Sequence, residues 1–142
     1  MLDEAASLAL LAERDITAVR HRLCGSEAEA RAAFEALGGA PVVVKGCTAE
    51  VSHKSELGLV RVGLRDSDAV GQAYGDMTQA ARAAGVTLTG VIVAHMVRGQ
   101  RELMIGARLD PVFGPVVLVG DGGKYVEVMP DVQVLQIGRA HV

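Results

Sequence analysis

The stretch PVVVKGCTAEVSHKSELGLVRVGL, Pro41 to Leu64, decides how the rest of the chain is read. Pro41 to Lys45 is a run of β-branched residues bounded by glycine and proline, the pattern of a buried strand covered on both faces. Leu59 to Leu64 alternates and reads as a second strand. Between them runs a loop of small and polar residues that carries His53 and Lys54. Lys45, at the mouth of the first strand, places one positive charge where a ligand can meet it, and Gly46 allows close backbone approach, so the pair suits a phosphate. The same lysine also reads as a surface residue that ends a strand. His53 has two readings as well. Neutral imidazole is nucleophilic near pH 7, so a loop histidine can accept a phosphoryl group and carry it between two sites; equally, it can be a solvent-exposed loop residue.

Outward from this stretch the elements alternate. Leu2 to Arg14 reads as a short helix with acidic residues in its first turn. Ser26-Glu27-Ala28-Glu29 is a capping box that opens a helix closed by Gly38-Gly39. From Asp66 or Ser67, apolar positions at Val70, Ala73, Tyr74, Met77, Ala80, Ala81 and Ala84 recur at helical spacing until Gly85. Leu88 to Val97 and Arg101 to Arg108 read as strands joined at Arg98-Gly99, a hairpin that would set His95 opposite Glu102. Pro115 to Gly120 and Lys124 to Met129 read as further strands around Gly120-Asp121-Gly122-Gly123. The expected fold is α/β (α+β), a mixed, largely antiparallel sheet with flanking helices.

Composition excludes several classes. The 142 residues are 50% hydrophobic and 22% charged with a net charge of -3, and no Lys/Arg-rich block suits nucleic acid or a lipid surface. No apolar run approaches the ~20 residues that cross a bilayer, and the acidic start Met1-Leu2-Asp3-Glu4 is unlike a signal peptide, so a cytoplasmic location is expected. Cys24 and Cys47 lack metal or redox spacing and read as reduced core residues. Gly120-Asp121-Gly122-Gly123 offers successive amides to an anion but lacks the GK[ST] ending of a Walker A loop, and reads more simply as a tight turn. The strand Val91 to Met96 can offer backbone N–H and C=O groups to an adenine edge, as any strand can. Glu102, Asp110, Glu127 and Asp131 are too scattered to define a metal cluster. Gln136 written as CAG, followed by IGRAHV back-translated as ATC GGA AGA GCA CAC GTC, reads into a common short-read sequencing adapter. Residues 137–142 are therefore expected to be non-native, with the natural chain continuing beyond Leu135; the coding DNA at Gln136 tests this.

Several motifs then fall in order: a strand ending in Lys45, HKSE-x-G from His53, E-x-x-IG-x-x-x-D-P-x-FGP from Glu102, G-x-GG at Gly120 and E-x-x-x-D at Glu127. Together with the helices between them, they resemble the ATP-grasp domain of the NDP-forming acyl-CoA synthetases, the acetate–CoA ligase (ADP-forming) family. The match runs from near the N-terminus to about Leu135. The resemblance implies a partial ATP-grasp domain over residues 1–135, incomplete at its C-terminal end. It implies the reaction acid + CoA + ATP ⇌ acyl-CoA + ADP + phosphate through phosphohistidines, with His53 as phosphoryl carrier. Lys45 corresponds to the lysine that holds nucleotide phosphates, and Ala94-His95-Met96 to the hinge backbone that meets adenine. Lys54 would screen the charge on phosphorylated His53. ATP/ADP and Mg²⁺ are the implied cofactors, and a CoA-binding, acyl-phosphate-forming module is the implied partner.

Departures from the family pattern matter. Gly58 is followed by Leu59 where the family has a second glycine, which would stiffen the loop. The family's metal-binding Asn and Asp lie in N-P-L and D-A-R stretches that do not occur here, so Mg²⁺ ligands are expected beyond this segment. Two further readings stand beside the ligase. One is a non-catalytic ligand-sensing domain like the synthetase-like region fused to bacterial lysine acetyltransferases. The other is a shortened chain that buries its core by self-association; a homodimer is the expected form of that.

Overall fold

In a computed structural model the chain divides into two compact units, residues 1–97 and 98–142. The structure describes residues 2–39, 41–51, 54–99, 101–123 and 132–136. His53, the expected strand at Lys124 to Met129, Glu127, Asp131 and the 137–142 tail lie outside the described residues.

The first unit contains α1 (Glu4–Glu13), β1 (His21–Cys24), α2 (Glu27–Ala36), β2 (Val42–Cys47), β3 (Val60–Leu64), α3 (Ser67–Ala83) and β4 (Gly90–His95). Each helix starts at a side chain that satisfies an otherwise orphaned amide. Asp3 accepts from the Ala6 amide at 2.8 Å, Ser26 from Glu29 at 3.2 Å and Asp66 from Ala69 at 2.7 Å. The Glu29 carboxylate closes the second cap by accepting from the Gly25 amide, one residue before the cap. Gly38 and Gly85 stop α2 and α3 with positive φ of 91° and 68°.

The sheet order is β1-β4-β2-β3, with every pair antiparallel. Because β4 lies between β1 and β2, the β1-α2-β2 crossover spans a strand laid down later in the chain. Alternation along β2 and β4 separates two faces. Val42, Val44, Val91 and Val93 point into the larger core with Phe34, Leu37, Val70, Met77 and Leu59, beneath α2 and α3. Burying each such side chain contributes roughly 1.5–3 kcal/mol. Cys47, Ile92 and Ala94 on the other face have Ala5 and Leu8 of α1 as their packed apolar partners among the described residues. The β-branched run of β2 is therefore covered on both faces, as its composition requires, within an antiparallel sheet. Cys24 and Cys47 are free and buried, and burial raises both thiol pKa values.

The second unit is an antiparallel meander of β5 (Leu103–Asp110), β6 (Gly114–Asp121) and β7 (Val132–Gln136), in the order β5-β6-β7. Its β5–β6 turn is set by the Asp-Pro-Val-Phe-Gly sequence: the Asp110 carboxylate accepts from the amides of Val112 and Phe113, and Gly114 takes a φ of 71°. Leu103, Ile105, Leu109 and Leu135 are exposed on one face of this sheet.

The expected hairpin about Arg98-Gly99 does not form. β4 is an interior strand paired with β1 and β2, and His95 stands opposite Val42 in the register, not Glu102. β5 pairs with β6 in the other unit. The apolar run Gly90–Ala94 needs neighbours on both edges, and β1 and β2 supply them where a two-stranded hairpin would leave one edge bare.

Candidate functional site

Lys45 is not the last residue of its strand. β2 continues through Gly46 to Cys47, and Lys45 is paired with Val60 on one side and Ile92 on the other. Antiparallel partners point to the same side of a sheet, so the Lys45 side chain shares its face with Ile92, and with Ala94 one step along β4. Two sequence-predicted site residues, Lys45 and Ala94, are thus brought onto one face. His95, the last residue of β4, alternates to the opposite side, and Met96 lies just beyond the strand.

The backbone beyond Ala94 is partly committed. The His95 amide donates to the Arg20 carbonyl and the Met96 amide to the Pro41 carbonyl, both at 2.9 Å. An adenine edge meeting residues 94–96 therefore finds those two N–H groups already used.

Gly46 has a different role from the one its position beside a lysine suggests. A Cβ there would lie 3.3 Å from both Leu59 and Leu88 side chains, so the missing side chain makes room for the core. Leu59 is fully buried, its amide donates to the Lys54 carbonyl at 2.9 Å, and its carbonyl accepts from Gly46 at 2.8 Å. Gly58, at φ 69°, closes the turn with its amide on the Ser55 carbonyl. The end of the His-Lys loop is therefore tied to β2 at Leu59. At the loop's start Thr48 is 3% exposed and its hydroxyl accepts from the Glu50 amide.

The residue that sequence reasoning missed is Glu4. Its Oε1 accepts from Lys45 Nζ at 2.8 Å, and its Oε2 stands 3.6 Å from Lys54 Nζ. Neighbouring Asp3 has its carboxyl held below the ordinary range, first by the Ala6 amide, then by Thr89, with smaller contributions from Cys47 and Lys54. An acid in a first helical turn is the usual complement to the helix dipole, so its spacing in the sequence carried no sign of a second task.

The glycine turn of the second unit does not open an anion nest. The Gly122 amide donates to the Glu102 carbonyl at 2.8 Å, and a Cβ at Gly123 would lie 2.9 Å from Glu102 Oε2. A carboxylate against that turn repels an anion. Among the described residues no three His, Cys, Asp or Glu side chains come together as metal ligands, and no helix is long and apolar enough to cross a membrane.

Residues 1–137 match the family model of the ATP-grasp domain. The 4-hydroxybutyrate–CoA ligase [ADP-forming] of Nitrosopumilus maritimus is 40% identical over 112 residues, covering 78% of this chain and 16% of that protein. The acetate–CoA ligase [ADP-forming] I subunit beta of Pyrococcus furiosus is 36% identical over 96 residues, 66% of this chain and 41% of the subunit. Among solved structures, the dinucleotide forming acetyl-coenzyme A synthetase 1 of Ca. Korarchaeum cryptofilum, in complex with coenzyme A and Ca-AMPCP, superposes with a TM-score of 0.87 at 33% identity, over 96% of this chain and 60% of that one. A second structure of that protein, with Mg-AMPPCP and its phosphohistidine segment pointing towards the nucleotide binding site, gives 0.73 at 31% identity, over 94% of this chain and 56% of that one. This chain therefore spans less than two thirds of each of these relatives, and 16% of the first. With a family match over nearly its whole length and an antiparallel α+β architecture to carry it, the chain belongs to the ATP-grasp family, in the form found in ADP-forming acyl-CoA ligases.

Proposed function

We propose that this chain is the nucleotide-binding and phosphohistidine-carrying part of an ADP-forming acid–CoA ligase, working in acid + CoA + ATP ⇌ acyl-CoA + ADP + phosphate. The observation that carries the reading is the register that sets Lys45 and Ala94 on one sheet face, with the His-Lys loop leaving the lysine's own strand. Support also comes from the relative whose phosphohistidine segment points towards its nucleotide site.

Phosphoryl transfer asks a protein mainly to position groups and neutralise charge. The Lys45 ammonium takes phosphate oxygens of ATP. Neutral His53 attacks the γ-phosphorus through a ring nitrogen, the bond to the β,γ-bridging oxygen breaks, and ADP leaves with that electron pair. The phosphoryl group then passes to the carboxylic acid on the CoA-binding partner module, and CoA displaces phosphate from the acyl phosphate. Because the His95 and Met96 amides are in use and Ala94 lies within the ladder between β1 and β2, adenine contacts along Ala94–Met96 fall to the His95 and Met96 carbonyl oxygens, which accept from its exocyclic amine. Magnesium would supply further neutralisation of phosphate charge; among the described residues no three His, Cys, Asp or Glu side chains come together to hold it, and the neutralisation assigned to this chain is that of Lys45.

The test is to incubate the domain, completed to its natural C-terminus, and its CoA-binding partner module with γ-labelled ATP and look for acid-labile label. Wild type is expected to carry it and His53→Ala to lose it; equal labelling of the variant refutes the carrier role. ATP binding without any label would favour the ligand-sensing reading, in which a synthetase-like region serves an attached acetyltransferase.

A further inference from the structure

The first turn of α1 stands over the lysine-bearing face, and its carboxylate is placed as a bound anion would be. The two oxygens of Glu4 each face a different ammonium, Lys45 Nζ at 2.8 Å and Lys54 Nζ at 3.6 Å. The side chains are 34% (Lys45), 17% (Lys54) and 29% (Glu4) exposed, so water screens them only in part. The lysines come from different places, one within β2 and one from the loop that follows, and one carboxylate holds them together. Asp3, within electrostatic reach of Lys54, is a second carboxylate beside the pair.

Helix α1 is otherwise lightly attached. It has no buried residue, and only Ala5 and Leu8 pack on Cys47, Ile92 and Ala94. Among the described residues, polar ties cluster in the same turn: the Ala5 amide on Cys47 Sγ at 3.4 Å, Asp3 with Thr89, and Glu4 with the lysines. An anion that replaces Glu4 therefore releases one of the few polar ties that hold the start of the helix, its contact with the two lysines. Phosphate oxygens suit the replacement, because they carry more charge than one carboxylate and can meet both ammonium groups at once.

We infer that Lys45 and Lys54 form a single anion site, that Glu4 occupies it in the free protein, and that phosphoryl oxygens of a nucleotide displace Glu4 and unseat the first turn of α1. This deepens the nucleotide reading of Lys45 and rests on it. It adds Lys54 as a second phosphate contact and Glu4 as an internal competitor for the same place.

The probe is inorganic tripolyphosphate, titrated without magnesium at fixed ionic strength by calorimetry and by amide NMR. In wild type, the Ala5 and Ala6 amide signals are expected to shift as tripolyphosphate binds. Glu4→Gln removes the competing charge at similar size and is expected to tighten binding about three- to tenfold, the scale of one partly exposed ion pair. Lys54→Gln added to Glu4→Gln is expected to reverse that gain. Tripolyphosphate binding that leaves the α1 amides unmoved, or a Glu4→Gln affinity within twofold of wild type, overturns the proposal, as does no binding at all. The wild-type amide shifts decide the matter even if a variant folds poorly. If tripolyphosphate binds as described and ATP does not, the two-lysine site stands and the nucleotide reading falls.

Discussion

Replacing Leu59 by alanine tests whether the His-Lys loop is anchored as described. Leu59 is fully buried in the larger core, and a Cβ on Gly46 would lie only 3.3 Å from it. Its two backbone hydrogen bonds, to Lys54 and Gly46, survive the change, so the loss is confined to side-chain packing. Leucine-to-alanine changes at buried sites cost roughly 2–5 kcal/mol, through transfer of the deleted carbons and the cavity left behind. Half-buried Val51 and Leu57 pack against the same cluster and can settle partly into the space, which places the expected loss at about 3 kcal/mol. The three helices among the described residues lie in the first unit, so helical circular dichroism reports that unit's unfolding. With a urea dependence of about 1.5 kcal/mol per molar, the midpoint should fall by about 2 M. A loss below about 1 kcal/mol would refute the reasoning, because it would mean that Leu59 does not fill the space between Gly46 and Leu88 and that the loop is not fastened there.

Two further outcomes are expected. Gly90→Ala would bring a Cβ to 2.9 Å from the Cys24 carbonyl oxygen and 2.8 Å from Leu23 Cδ1 at the paired edge of β1, and overpacking of this kind costs about 1–3 kcal/mol by urea unfolding; an unchanged midpoint would refute that contact. Asp110 and Asp3 both have carboxyl pKa values below their ordinary value of 3.8, Asp110 through the Val112 and Phe113 amides and then Arg108, and Asp3 through the Ala6 amide and then Thr89. Lowered folded values mean that their contribution is complete above the unfolded value and is lost as the pH falls through the folded values, so the acid limb of stability should lie below about pH 4. Carboxyl titrations by NMR check this, and an Asp110 midpoint at or above its ordinary value would contradict the turn geometry.

Much of the local structure was legible because it is decided by neighbours in the chain. Asp3, Ser26 and Asp66 each satisfy an amide three residues on, and glycine closes α2 and α3 through a backbone shape that other residues resist. The helical stripe from Val70 to Ala81 and the apolar run of β2 were readable for the same reason. The D-P-x-FGP stretch, one of the pieces carrying the family resemblance, is explained in the structure by a turn whose amides Asp110 collects. Strand pairing was not legible in the same way. A hairpin at Arg98-Gly99 satisfies every local rule, yet β4 is claimed by β1 and β2, and β7 at Val132–Gln136 was not anticipated.

For the candidate site the division is similar. The amino-acid sequence alone determined the family, the helices, the capping box at Ser26 and the strand that carries Lys45, since these depend on short-range spacing and residue type. Tertiary structure alone decided that Ala94 shares a face with Lys45, that Gly46 yields space to Leu59 and Leu88, and that Glu4 from the start of the chain meets Lys45 and Lys54. Those facts depend on which strand lies beside which and on where a helix lands. Coulombic attraction and packing act between residues about forty positions apart as readily as between neighbours, and no local pattern records them.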